Sequence, residues 1–264
     1  MTYYLGSDAQ EKERLEIQAK LYADQAYLTC AASDHVFELG CGNGGNLWIA
    51  EQLTHGHYIG TDIQAEQVRA AQEKAIQREF TNTTFYVSDS QPTPITDNWA
   101  DMAFCRFVLV HVPDPSPLVQ ELVRVAKPGG RVTAIEPNNR TYIAHNKPHL
   151  NKCYQARYHF MYQPGRGSLD ICPQLYDLFL QHGLTDIAIQ QHSIYADARD
   201  AALLQALYQN WIGMVRPVKS LLIEAGLITA EDYVLAEQEA ESIQPGDCLY
   251  QSQWIAKGIK PNTP

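Results

Sequence analysis

The sequence predicts an α/β protein, a mainly parallel β-sheet covered by helices on both faces. The sheet core falls in the first half of the chain, and irregular and helical material is added after it. Three observations carry this. Short apolar runs alternate with segments of helical spacing between residues 34 and 137, which implies right-handed βαβ crossovers. The first run leads directly into a glycine-rich stretch, "VFELGCGNGGNLW" (36–48), where the backbone has to turn tightly. At 264 residues the chain suits one large α/β domain, or one domain with a substantial insertion.

Residues 8–31 place Leu15, Ala19, Tyr22, Ala26 and Ala31 near helical spacing, with Ser7 or Asp8 available as cap. "DHVFEL" then reads as a short buried strand, and "GNLWIAEQL" as a helix opening on the glycines. "GHYIGTDI" is the second strand, 64–79 the second helix and "TTFYVSD" the third strand. "ADMAFCRF" is the fourth, followed by a helix over 115–126. "KPGG" turns the chain into a fifth strand, "RVTAIEP". After Pro137 the rhythm breaks, and 138–172 is rich in Tyr, His, Asn and Arg without a clear period. A helix over 173–182 and a strand over 185–193 follow. Residues 198–241 are helical with breaks at Pro217 and near Gly226, and "CLYQSQWIAKG" is the last strand.

Bulk properties narrow the function. A net charge of −10 argues against a nucleic-acid binder and favours a small-molecule substrate. No apolar run approaches the ~20 residues of a membrane span, and the polar start "MTYYLGSDAQEKERLEIQ" does not read as a secretory signal. The six cysteines are scattered without a C-x-x-C pair, which points to reduced thiols in the cytoplasm and to no metal site.

The glycine stretch matches two patterns. Gly40-x-Gly42-x-x-Gly45 is the fingerprint of a nicotinamide-dinucleotide site, where glycines approach a pyrophosphate at a helix N-terminus. Glu38-x-Gly40-x-Gly42-x-Gly44 is that of an S-adenosylmethionine site. Glu38 lies inside the strand, where a carboxylate repels a pyrophosphate and suits an ammonium group. Asp62 ends the second strand, placed to accept hydrogen bonds from ribose hydroxyls. Asp89 ends the third, where a carboxylate can meet an adenine amino group.

On these residues the chain resembles the class I S-adenosylmethionine-dependent methyltransferases. "FELGCGNG" is similar to the family's first motif, "GTDI" to its ribose-binding acid and "VSDS" to its adenine-side acid. "FCRFVLVHVPDP" and "VAKPGGRVTAIEP" resemble the segments around its fourth and fifth strands, so the likeness covers about residues 34–137. It implies a Rossmann-like, doubly wound sheet of seven strands in the order 3-2-1-4-5-7-6, the last antiparallel. One methyltransferase domain over 1–264 would comprise an N-terminal helical lid (1–31), a cofactor-binding core (32–137) and substrate-side insertions with the last strands (138–264). It also implies S-adenosyl-L-methionine as cofactor, with Glu38 and the backbone of Gly40, Gly42, Asn43 and Gly44 at its amino-acid end. Asp62 would bind ribose with Ile63 beside the adenine, Asp89 and Ser90 would border the adenine, and Arg106 would lie near the methionine portion.

In related enzymes an N-terminal helix often folds over the cofactor, which brings in Tyr3, Tyr4, Arg14 and Gln18. Arg14 and Gln18 are four apart and share a helical face. The substrate wall should come from the carboxyl ends of strands four and five and from the later insertions. Phe107, His111, Glu136, Asn138, Asn139, Arg140, Tyr142, His145, Tyr158 and His159 are candidates, with Tyr208 and Trp211 as a cap. A general base is needed only if the acceptor carries a tightly held proton. His111, Glu136 and Tyr158 are the catalytic candidates, while His111 and Glu136 can equally brace the neighbouring loop. The aromatic-rich insertions suggest a flat or partly apolar acceptor, quinone-like or phenolic. Metal-dependent relatives want an acid where this chain has Arg106 and Phe107. Two other readings share the fold: a dinucleotide-dependent oxidoreductase, and a non-catalytic S-adenosylmethionine-binding protein acting through a partner.

Overall fold

The computed structural model describes residues 9–22, 26–88, 92–161, 167 and 170–262. The chain forms two compact units. A sheet unit comprises Ala23–Pro137, Asp170–Gln191 and Gln253–Pro264; a helical unit comprises Met1–Tyr22, Asn138–Leu169 and His192–Ser252.

Seven strands form one sheet: β1 (His35–Leu39), β2 (His57–Asp62), β3 (Thr83–Val87), β4 (Ala100–Arg106), β5 (Ala126–His145), β6 (Thr185–Asp197) and β7 (Cys248–Ile259). Their order is β3-β2-β1-β4-β5-β7-β6. The pairs β1–β2, β2–β3, β1–β4 and β4–β5 are parallel. β7 runs against both neighbours. Gly129 N–H donates to the Lys260 carbonyl at 2.8 Å, whereas further along β5 Thr141 Oγ1 accepts from Ser252 N–H at 3.0 Å. On its other side, Thr185 meets Ile259 and Ser193 meets Tyr250. The "KPGG" turn is a bulge within β5: Ala126 pairs with Ala100 and Arg131 with Met102, so four residues stand opposite Asp101. Lys127 Nζ closes the bulge on both Asp101 carboxylate oxygens at 2.8 Å.

In the sheet unit, Val36, Tyr58, Met102, Phe104 and Ile135 of the strands pack with Leu47, Ile49 and Leu53 after the glycine loop. Val68, Ala71 and Ala75 of α2 (Ala65–Gln77) join the same core. Their i, i+3, i+7 spacing is the apolar stripe of an amphipathic helix. α3 (Ser116–Val125) and α5 (Ile171–Gln181) belong to the same unit.

The helical unit holds α1 (Ala9–Leu21), α4 (Pro148–Met161), α6 (Ala201–Val215), α7 (Lys219–Glu224) and α8 (Ala230–Glu241). α1 docks on α6 where Gly213 leaves room: a Cβ there would lie 3.1 Å from Arg14 Cδ. Thr229 caps α8 in a reciprocal box with Asp232.

Three expectations are corrected. The N-terminal helix stops at Leu21, because Tyr22 is bonded to Gln251 in the helical unit whereas Leu28 is buried in the core of the sheet unit. No α-helix opens on the glycines; Leu47–Ile49 is a 3-10 turn, and the bonds from Gly44 to Leu53 run three residues back. The stretch after Pro137 is regular: β5 continues to His145 and α4 follows with 14 residues.

Candidate functional site

The parallel register sets the site within the sheet unit. Glu38 lies opposite Gly60 of β2 and Phe104 of β4, and Phe104 opposite Thr133 of β5. Gly40, Asp62 and Arg106 therefore lie at the carboxyl ends of β1, β2 and β4, with Glu136 of the longer β5 one residue past the partner of Arg106, at the edge where open α/β sheets bind ligands.

Gly40, Gly42 and Gly44 take φ of +78°, +51° and +78°, the left-handed region closed to most side chains, and Gly45 does not. The backbone thus uses the glycines of the E-x-G-x-G-x-G pattern, and the third glycine of the dinucleotide pattern has no such role. A Cβ at Gly42 would meet nothing within 4 Å, so backbone alone faces the open side of the loop. Asp62 pins this conformation: Oδ2 accepts from Gly42 N–H and Oδ1 from Gln64 N–H, each at 2.9 Å. Burial raises the Asp62 pKa, opposed by these backbone bonds. A carboxylate has room for roughly four hydrogen bonds, so acceptor capacity remains. Ile63 beside it is 46% exposed, an apolar surface at the strand end. Asn43 is buried in the loop. Asp89 and Ser90, after β3, and Tyr3 and Tyr4 lie outside the described residues.

Glu38 is buried. Its Oε1 accepts from Asn46 Nδ2 at 2.6 Å, and its Oε2 accepts from the Tyr58 hydroxyl. Burial lifts its pKa to about 7, against the pull of Tyr58, Asn46 and the positive charge of Arg106. Such a carboxylate favours a cation beside it and disfavours a pyrophosphate. Asn46 and Tyr58 were not legible as site residues; both read as ordinary loop and strand positions.

Arg106 carries its guanidinium 4.7 Å from the Phe107 ring centroid. Phe107 itself sits at φ +57°, rare for a bulky residue and a mark of local strain. Its N–H is held by the Ile135 carbonyl at 2.8 Å. The next residues are clamped by Glu136, whose Oε1 accepts from Val108 and Leu109 N–H (3.1 and 2.8 Å) and whose Oε2 accepts from Val110 N–H at 3.1 Å. Glu136 is fully buried, and burial lifts its pKa to about 7 against those three bonds. The carboxylate thus braces the turn Leu109–His111, and the half-buried His111 ends that turn.

The remaining candidates lie in the helical unit. Arg14 gives Nε and Nη2 to Glu11 at 2.7 Å, and Nη1 to Gln18 and Asn210 at 3.0 and 2.9 Å. Arg14 and Gln18 do share a face. Tyr158 is buried on α4, its ring edge-on to His159 with centroids 5.5 Å apart. Tyr142 and Trp211 do not line an open wall: they stack with Tyr154 in a buried trio, centroids 4.7–5.2 Å apart.

Residues 31–166 match a family model described as a methyltransferase domain. The chain belongs to the class I S-adenosylmethionine-dependent methyltransferases. A demethylmenaquinone methyltransferase of Shouchella clausii is 25% identical to this methyltransferase over 176 residues, 61% of this chain and 75% of the relative. Among solved structures, the YcgJ protein of Bacillus subtilis superposes with a TM-score of 0.56 at 18% identity, covering 95% of this chain and 99% of its own. A phosphoethanolamine N-methyltransferase 2 of Haemonchus contortus, solved with phosphomonomethylethanolamine and S-adenosylhomocysteine, gives 0.55 at 16% identity over 95% of this chain and 52% of its own. At such identities the structural likeness is one of fold. The methyltransferase's cofactor is S-adenosylmethionine, and the left-handed glycines, Glu38 and Asp62 fit that cationic ligand. Among the described residues no helix is long and apolar enough to cross a membrane. Among the same residues no three His, Cys, Asp or Glu side chains are grouped to hold a metal ion.

Proposed function

We propose that the protein transfers the methyl group of S-adenosylmethionine to a small organic acceptor by in-line displacement, releasing S-adenosylhomocysteine. The observation that carries this is the glycine loop, three left-handed residues pinned through Gly42 by the Asp62 carboxylate. The cofactor supplies an electrophilic methyl on a sulfonium; the chain binds, orients and excludes water. Glu38 faces the cofactor's ammonium, Asp62 the ribose, and Ile63 with Asp89 and Ser90 the adenine. Arg106 lies toward the methionine portion. Tyr4 and Arg14 belong to this reading as lid residues, although the Arg14 guanidinium is already engaged by Glu11, Gln18 and Asn210.

Glu136 serves as a positioning residue, since both its oxygens hold backbone N–H groups. His111, on the turn it braces, and Tyr158 are the side chains left to take a proton where the acceptor has one to lose. The net charge of −10 supports a small molecule over a nucleic acid. The six free cysteines support a reducing, cytoplasmic setting.

Incubation with methyl-labelled S-adenosylmethionine and a metabolite extract tests the proposal. Label should move to a small molecule as S-adenosylhomocysteine accumulates. Bound cofactor that stays intact across extracts would favour a binding protein instead.

A further inference from the structure

Among the described residues of the helical unit, three cations are buried on different terms. Arg14 has Glu11 at 2.7 Å, and Lys147 has Asp247 at 2.7 Å. Arg157, on α4, is 3% exposed and has no carboxylate partner among the described residues. Its Nε donates to the Met214 carbonyl at 3.1 Å, and its guanidinium carbon lies 5.8 Å from the Tyr154 ring centroid. The four N–H donors of its two Nη groups have no acceptor among the described residues.

A guanidinium does not shed its proton at ordinary pH, so it cannot escape burial by becoming neutral. A buried charge without a partner is strongly unfavourable, and proteins normally pair it. The Nη fork presents parallel donors of the spacing that matches a carboxylate or a phosphate in two-point contact. Its support is rigid. Tyr154 stacks with both Tyr142 and Trp211, which also stack on each other, its hydroxyl bonds Asn139 at 3.1 Å, and Trp211 Nε1 bonds Gln251 at 2.8 Å. A fixed fork over a fixed aromatic base has little freedom left to lose when an anion arrives.

We propose that Arg157 forms an oxyanion site in the helical unit, taking a carboxylate or phosphate group.

The full chain, Arg157→Met and Arg157→Lys are titrated with inorganic phosphate and, separately, with acetate at constant ionic strength. Tryptophan fluorescence is the readout, because Trp211 stacks on the ring beneath the guanidinium. Wild type should respond saturably to one or both anions, Arg157→Lys should weaken that response by tenfold or less, and Arg157→Met should abolish it. A response to phosphate alone assigns a phosphate, and to acetate alone a carboxylate. No saturable response in wild type, or an equal one in Arg157→Met, overturns the site; the wild-type arm decides even if a variant fails to fold.

Discussion

Replacing Arg14 by Met separates a structural guanidinium from a ligand-binding one. The side chain makes two bonds of 2.7 Å to Glu11, with further bonds to Asn210 at 2.9 Å and Gln18 at 3.0 Å. Both charges are buried, at 5% and 3% exposure. Met fills much of the volume but leaves the Glu11 carboxylate buried without its cation, a situation that costs about 3–5 kcal/mol. Urea unfolding followed by circular dichroism measures this directly. Glu11→Gln combined with Arg14→Met removes both charges and should recover most of the loss, since a buried ion pair is often close to neutral against uncharged replacements. Affinity for S-adenosylhomocysteine is measured in parallel. A single mutant within ~1 kcal/mol of wild-type stability would refute the reasoning about burial. If that mutant also bound S-adenosylhomocysteine tenfold more weakly, the guanidinium would belong on the ligand.

Two further outcomes follow from buried carboxylates and from strain. Burial lifts both Glu38 and Glu136 from 4.5 to about 7. Between those values the folded chain holds protons that the unfolded chain has released. Their contribution is therefore fully present below about pH 4.5 and is lost as pH rises through about 7, by up to ~3 kcal/mol each at ~1.4 kcal/mol per pH unit. Urea midpoints from pH 5 to 8 should show this fall, and Glu38→Gln or Glu136→Gln should flatten it; a profile that neither substitution alters would contradict it. At Phe107, with φ +57°, Gly should be more stable than Ala by about 1 kcal/mol, reversing the usual order. Thermal denaturation of the two variants decides it, and Ala at or above Gly would remove the strain argument.

Much of the fold is legible because strand burial follows directly from apolar runs. The five core strands and the breaks in the late helices at Pro217 and Gly226 appear where the spacing puts them. α4 was not legible for a physical reason. Leu150, Cys153, Tyr154, Ala156, Arg157, Tyr158, Phe160 and Met161 are all buried, leaving only a narrow polar stripe at Lys152, Gln155 and His159, and the buried face mixes apolar residues with tyrosines and a cation, which blurs the period. Past Pro137, β5 hides its alternation because Asn139 points inward to the Tyr154 hydroxyl. The false helix after the glycines arose from Leu47, Ile49, Ala50 and Leu53, whose burial is satisfied by successive tight turns. In the site, the glycines and the acid at 62 are legible because only glycine fits a left-handed loop and only an acceptor can pin it. That Glu136 can brace the neighbouring loop was legible, but which N–H groups it holds, and the hold of Tyr58 and Asn46 on Glu38, depend on register and were not.

The claim that the glycine loop and Asp62 form the S-adenosylmethionine site is tested most directly by calorimetry. S-adenosylhomocysteine and NADH are titrated into the full chain and into Asp62→Ala. Wild type should bind S-adenosylhomocysteine and not NADH, and Asp62→Ala should bind it about 1–3 kcal/mol more weakly. Heat from NADH with none from S-adenosylhomocysteine, or an unchanged affinity in Asp62→Ala, would contradict it.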